Sequence, residues 1–326
     1  MIDSFNRAID YLRVSVTDRC NFRCTYCMPD EGVSPLPHAE ILSYEEILRM
    51  IRIVGHLGVR KVRLTGGEPL VRKGITGFIS RLTALNIITD LSMTTNGSLL
   101  SGMAQELKKA GLQRVNISLD TANPEKFALI TRRGRLEETL SGIKNALAAG
   151  LTPVKLNVVL SEHFTDDDLI YFVDLIYRLP VAVRFIEYMP IGADKAGRGY
   201  SVAAVKERIH KLGKGLLQPI ALDTGNGPAR YYRLPGALGS FGFITPISEH
   251  FCGQCNRLRL TADGKFKPCL LSNTEIDVKT ALRSGATDEE IKQLFLQAVR
   301  AKPSGHNLCP TDKHSEVDRR MSQIGG

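Results

Sequence analysis

Three thiols lie close together near the start of the chain: Cys20, Cys24 and Cys27, in C-x3-C-x2-C spacing within VTDRCNFRCTYCMP, with an aromatic residue inside each gap. A disulfide between such near neighbours closes too small a loop to gain much. Zinc ordinarily takes four ligands, most often opening with C-x2-C. Three thiolates on one short loop suit an iron–sulfur cluster with one iron left free to bind something else. A second group, Cys252, Cys255 and Cys269, has C-x2-C-x13-C spacing. Here zinc is an equal candidate on spacing alone, with Cys309 or His250 as fourth ligand. Between these thiols runs NRLRL, which sets Arg257 and Arg259 two apart, on one face of a strand. Two guanidiniums beside a metal site favour a phosphate or other anion; the alternative is a solvated basic strand.

The elements that must position these groups recur along the chain. Six short apolar segments read as strands: YLRVSVT, KVRLTG, DLSMTTN, RVNISLD, PVKLNVVL and VAVRFIEYM. Each is followed by a segment of helical periodicity, with Ser43, Asp166 and Ser201 as expected N-caps and Gly58, Gly111 and Gly150 as expected stops. This alternation predicts right-handed βαβ units and a parallel sheet. Six units are too few for the common eight-stranded closed barrel, so the fold class expected is α/β, a partial, open six-stranded barrel. After residue 222 the pattern changes to Gly- and Pro-rich turns with short antiparallel strands, then one helix and a polar tail. The expected domains are 1–222, the barrel, and 223–326, a smaller C-terminal domain.

Side chains alternate along a strand, so each strand offers an apolar and a polar face. Helices must cover the apolar one. Arg13, Arg63, Thr94, Ser118 and Lys155 then point inward, into an interior too polar to be a packed barrel core. Loops after the strands add TGGEP, TTNG, SLD and EYMP to one rim. The paired glycines of TGGEP allow a ligand to approach the backbone closely.

Composition narrows the choice. The 326-residue chain has 43% hydrophobic residues, enough for a core, and no apolar run of the length a membrane span needs. Its start does not read as a signal peptide, so a cytoplasmic location is expected, where clustered cysteines favour metal binding over disulfides. The net charge of +9 comes without a run of five basic residues, and aromatics make up 6%. The charge could serve nucleic acid, an anionic surface or a polyanionic small substrate, and the pattern disfavours nucleic acid.

CNFRCTYC resembles the signature of the radical S-adenosylmethionine superfamily. From YLRVSVTDRCNFRCTYCMP through VRLTGGEPL, TTNG, VNISLD, VKLNVV, RFIEYMP and FCGQCNRLRLTADGKFKPCL to the terminal IGG, the chain resembles one family within it, the GTP 3′,8-cyclases of molybdenum cofactor biosynthesis. The resemblance implies a [4Fe–4S] cluster on Cys20, Cys24 and Cys27 that binds S-adenosyl-L-methionine, and a second [4Fe–4S] cluster on Cys252, Cys255 and Cys269. It implies that Tyr26, Gly67, Ser118 and Met189 contact S-adenosylmethionine, and that Arg13, Arg63, Thr94, Lys155, Arg257 and Arg259 contact GTP. Arg257, Arg259, Gly325 and Gly326 would act in catalysis. A 5′-deoxyadenosyl radical would abstract hydrogen from ribose C3′, which then bonds to guanine C8, giving (8S)-3′,8-cyclo-7,8-dihydroguanosine 5′-triphosphate. The partners implied are a reducing electron donor, the next enzyme of the route (cyclic pyranopterin monophosphate synthase) and a second copy in a homodimer, with no nucleic acid and no membrane. Two features do not match cleanly: the 190–202 loop is variable ground with no role assigned, and Cys309 has no counterpart and reads as a bystander thiol. The rival readings are a radical enzyme acting on a peptide and a zinc-stabilised basic module that binds RNA.

Overall fold

The computed structural model describes residues 1–191, 197, 199–221, 227–309 and 317–325. The six expected strands form in order: β1 (Tyr11–Ser15), β2 (Lys61–Thr65), β3 (Asp90–Thr95), β4 (Arg114–Ser118), β5 (Lys155–Leu160) and β6 (Ala182–Glu187). The helices interleaved with them are α1 (Tyr44–His56), α2 (Ile75–Ala84), α3 (Leu100–Lys109), α4 (Pro124–Thr131), α5 (Leu136–Ala148), α6 (Asp166–Arg178) and α7 (Val202–Lys211).

Helix α1 shows why these segments fold as they do. The Ser43 hydroxyl accepts the Glu46 N–H at 3.1 Å and the Glu46 carboxylate accepts the Ser43 N–H at 2.6 Å, a reciprocal cap. Ile47, Met50, Ile51 and Val54 fall on one stripe and are fully buried. They join the same core as Val14, Val62 and Leu64 from the outer face of the sheet. Ser201 caps α7 as expected, whereas Asp166 is the first helical residue of α6; the cap is Thr165, whose N–H donates to Asp168 at 2.9 Å. Helix α4 escaped the periodicity because it is short. It is set by the Asn123 side chain, which accepts the Lys126 N–H at 2.9 Å, with Pro124 in the first turn.

The C-terminal residues bring β7 (Gln218–Ile220), β8 (Arg230–Arg233), β9 (Ser240–Ile244), β10 (Arg257–Leu260), β11 (Lys265–Lys267), β12 (Ile276–Asp277), α8 (Lys279–Arg283) and α9 (Asp288–Arg300). The strand order is β12-β11-β10-β1-β2-β3-β4-β5-β6-β9-β8-β7, an open sheet among the described residues. The outer pairings are antiparallel, as the turn-rich sequence predicts. Two pairings differ from that expectation: β10 runs parallel to β1, and β9 runs parallel to β6. The strands past residue 222 therefore extend both edges of the barrel sheet. No helix among the described residues is long and apolar enough to cross a membrane.

Candidate active site

Strand register converts side-chain alternation into one row of cations. Arg13 on β1 pairs with Arg259 on β10 and with Arg63 on β2. Arg63 pairs with Ser92 on β3, and Ser92 with Arg114 on β4. Register partners stand about 4.8 Å apart and project from the same face. Arg114 is held by the Asp90 carboxylate. Arg13, Arg63 and Arg259 open onto a cavity of about 320 Å³. Burial, then the neighbouring Arg259 and Arg63, holds Arg13 well below the usual guanidinium range, and burial with Arg257 brings Arg259 down to about 10. Crowded cations out of water call for an anion of several charges.

The first thiol triad sits on the loop after β1, and that loop is pinned from outside. The N–H groups of Arg23 and Thr25 donate to the carbonyls of Thr131 and Ile130, each at 2.9 Å, at the end of α4. Arg132, with φ +60°, turns its guanidinium onto the carbonyls of Arg23 and Met28 at 3.1 and 3.0 Å. Burial pushes the Cys20 thiol up to about 11 and, with Cys20 beside it, the Cys27 thiol up to about 12. Protons must therefore leave as a metal binds. The next loop packs so closely that a Cβ on Gly67 would lie 2.4 Å from the Arg19 carbonyl oxygen. Glu68 fixes it by accepting the N–H groups of Leu70 and Asn96 and the Thr95 hydroxyl, while burial raises its carboxyl to about 7. The Tyr26 hydroxyl donates to Asp120 at 2.8 Å, and Asp120 also accepts the Val159 N–H at 2.8 Å.

The second triad faces the same space from the C-terminal side. Cys252 and Cys255 bracket a single tight turn, with the Cys255 N–H on the Cys252 carbonyl at 3.1 Å. Burial alone would raise Cys255, but Arg257 and Lys302 bring it down to about 6. Among the described residues, ligand atoms of His250, Cys252 and His306 lie within 4.8 Å of one another, and the two imidazoles stack with centroids 4.3 Å apart. Cys309, the other candidate for a fourth zinc ligand, is exposed.

The residues singled out by sequence come together here. All six cysteines of the two triads line the cavity, with Arg13, Tyr26, Arg63, Gly67, Thr94, Ser118, Met189, Arg257 and Arg259. Lys155 is not on its wall. It is buried with its ammonium 5.4 Å from the centre of the Tyr231 ring, and burial, then Arg184, Arg114 and Arg63, lowers it to about 6. Gly325, with φ +73°, is tied to Arg259 of the cavity wall: its carbonyl accepts from Arg259 at 2.7 Å, and that of Ile324 at 3.2 Å. Gly326 and residues 192–196 and 198 of the 190–202 loop lie outside the described residues. Sequence reasoning missed Arg184, which donates to Asn116 at 2.8 Å and to Asn157. It also missed Lys302 and His306, whose segment carries no periodic signal. Each triad offers three thiols to one open space. That donor set would fit three irons of a four-iron cluster.

The chain is similar to known proteins. Residues 14–176 match the family described as Radical SAM superfamily, and residues 181–308 match Molybdenum Cofactor Synthesis C. The GTP 3′,8-cyclase of Heliobacterium modesticaldum is 52% identical to this chain, over 100% of both. That of Syntrophomonas wolfei is 48% identical over the same full coverage. Among solved structures, Streptococcus suis SuiB bound to S-adenosylmethionine has a TM-score of 0.61 at 15% identity, covering 87% of this chain and 68% of that one. That last likeness concerns the fold alone.

Proposed function

Because the chain belongs to the GTP 3′,8-cyclase family of the radical S-adenosylmethionine superfamily, we propose that the cationic cavity between its two thiol triads is the chamber in which GTP is cyclised. The enzyme is a radical lyase that converts GTP to (8S)-3′,8-cyclo-7,8-dihydroguanosine 5′-triphosphate in molybdenum cofactor biosynthesis. Cys20, Cys24 and Cys27 hold its [4Fe–4S] cluster. When bound, that cluster and S-adenosylmethionine supply the hydrogen-abstracting equivalent that acts at ribose C3′, after which C3′ bonds to guanine C8.

The protein's own groups do the rest. Tyr26, Gly67, Ser118 and Met189 hold S-adenosylmethionine against the first triad. The arginine row on β10, β1 and β2 takes the triphosphate, with Thr94 beside it and Lys155 behind it. Cys252, Cys255 and Cys269 would hold a second [4Fe–4S] cluster, which would supply a Lewis-acidic site for the guanine, and Arg257 and Arg259 orient the nucleotide between the two triads. Gly325, whose carbonyl accepts from Arg259, acts in catalysis together with the terminal Gly326. Enclosure keeps water from the reacting carbon. We also assign residues 1–222 to the radical domain and 223–326 to the nucleotide-presenting domain, and read the partners as an electron donor, the synthase that takes up the product, and a second copy of the chain.

The observation that carries this reading is the in-register arginine row lining the same cavity as two sets of three thiols. Protein purified without oxygen should contain iron and sulfide at about eight each per chain. Arg257→Ala with Arg259→Ala should weaken GTP capture and leave S-adenosylmethionine cleavage largely intact. Equal collapse of both would contradict the division of roles.

A further inference from the structure

Lys302 follows α9 and is 3% exposed. Its ammonium has three protons, and three acceptors surround it: the Arg257 carbonyl at 2.8 Å, the Pro268 carbonyl at 3.0 Å and the Cys255 sulfur at 3.4 Å. Those two carbonyls belong to the residue two after Cys255 and the residue before Cys269. A lysine is rarely buried so fully without an anion to face. If tying loops together were its whole task, an uncharged donor would serve at less desolvation cost. The charge is held by two fixed oxygens and aimed at a thiol of the second triad. The first triad is treated differently: the Cys20 sulfur takes the uncharged Phe22 N–H at 3.3 Å.

We propose that Lys302 is a positioning residue that sets the reduction potential of the second centre, through an N–H···S bond and a buried positive charge at Cys255. The proposal rests on the second triad holding an iron–sulfur cluster. Reduction adds one electron and breaks no bond. A fixed cation and a hydrogen bond to the ligand sulfur both favour the more negative, reduced form. Lys302 therefore raises the potential.

The test uses full-length chain carrying Cys20→Ala, Cys24→Ala and Cys27→Ala, so that only the second site can hold a cluster. It is reconstituted without oxygen, its iron is counted, and it is titrated with dithionite against redox mediators. Lys302→Met in this chain should keep about four irons and be reduced at least tenfold less favourably, a downward shift of about 59 mV for one electron. Lys302→Arg should restore most of the shift. An unchanged potential in an iron-replete Lys302→Met chain would overturn the proposal. Should Lys302→Met fail to assemble, Lys302→Gln and Lys302→Arg decide the matter. A Gln potential below an Arg potential supports the proposal, and equal potentials overturn it. A parent chain that takes up zinc or no metal would overturn the second-cluster reading itself.

Discussion

Arg13 and Arg259 are register partners on parallel neighbours β1 and β10, and Arg63 stands on the other side of Arg13. Like charges directly opposite one another across strands destabilise a sheet. A polyanion in the space in front of the row would offset that repulsion.

Arg13→Met should therefore have opposite effects on stability and on binding. Relieving the repulsion should leave the ligand-free protein as stable as before or steadier by up to about 1 kcal/mol. Losing a charged contact of roughly 1.5–3 kcal/mol should weaken GTP binding about 10- to 100-fold. Thermal unfolding and nucleotide titration measure the two effects. A marked fall in melting temperature with unchanged GTP affinity would contradict the row's assignment.

Lys155 should take up a proton when GTP binds. Burial and the cations facing it, Arg63 from β2, Arg114 from β4 and Arg184 from β6, lower it from 10.5 to about 6, with Tyr231 of β8 against it. At pH 8 the free protein holds it neutral, and a nearby triphosphate favours the charged form. At pH 5 it is already charged and uptake should vanish. Calorimetry in buffers of different ionisation enthalpy reads the proton count. Lys155→Met should abolish the uptake at pH 8.

Gly325→Ala should undo the tail's seat. The residue has φ +73°, and an added Cβ would lie 2.5 Å from the Thr65 hydroxyl oxygen. An L side chain in that backbone region costs roughly 1–2 kcal/mol before any clash. Cyclised nucleotide per S-adenosylmethionine cleaved should fall about tenfold. A product ratio equal to the parent's would show that the tail is a bystander.

In cluster-free protein the two triads should differ toward an alkylating agent. Cys255 lies at about 6, whereas Cys20 lies at about 11 and Cys27 at about 12. The thiolate is the nucleophile, so at pH 7.5 Cys255 should be labelled by iodoacetamide well before either of the other two. Peptide mass mapping after a short pulse gives the order, and reversed order would contradict the electrostatics around Lys302 and Arg257.

The inward faces of the barrel strands were readable from alternation alone, because polar and apolar residues segregate cleanly there; Arg13, Arg63, Thr94 and Ser118 all reach the cavity. Lys155 obeys the same parity yet sits below the wall, since alternation fixes a face and not a depth. Register was not readable. Nothing in NRLRL says that it lies beside β1, so the contact between Arg13 and Arg259 needed the structure. The parallel docking of β9 and β10 on the barrel edges is likewise a long-range choice without a local signal. Lys302 and His306 stand in an irregular segment whose role comes only from what it packs against.

The measurement that bears most directly on the whole account uses GTP deuterated at ribose C3′, incubated without oxygen with reconstituted protein, S-adenosylmethionine and a reductant. The deuterium should appear in 5′-deoxyadenosine, and the nucleotide should return as a cyclised dihydro product that has lost it. Undeuterated 5′-deoxyadenosine beside intact, fully labelled GTP would contradict the claim that this cavity holds the ribose of GTP against the first centre.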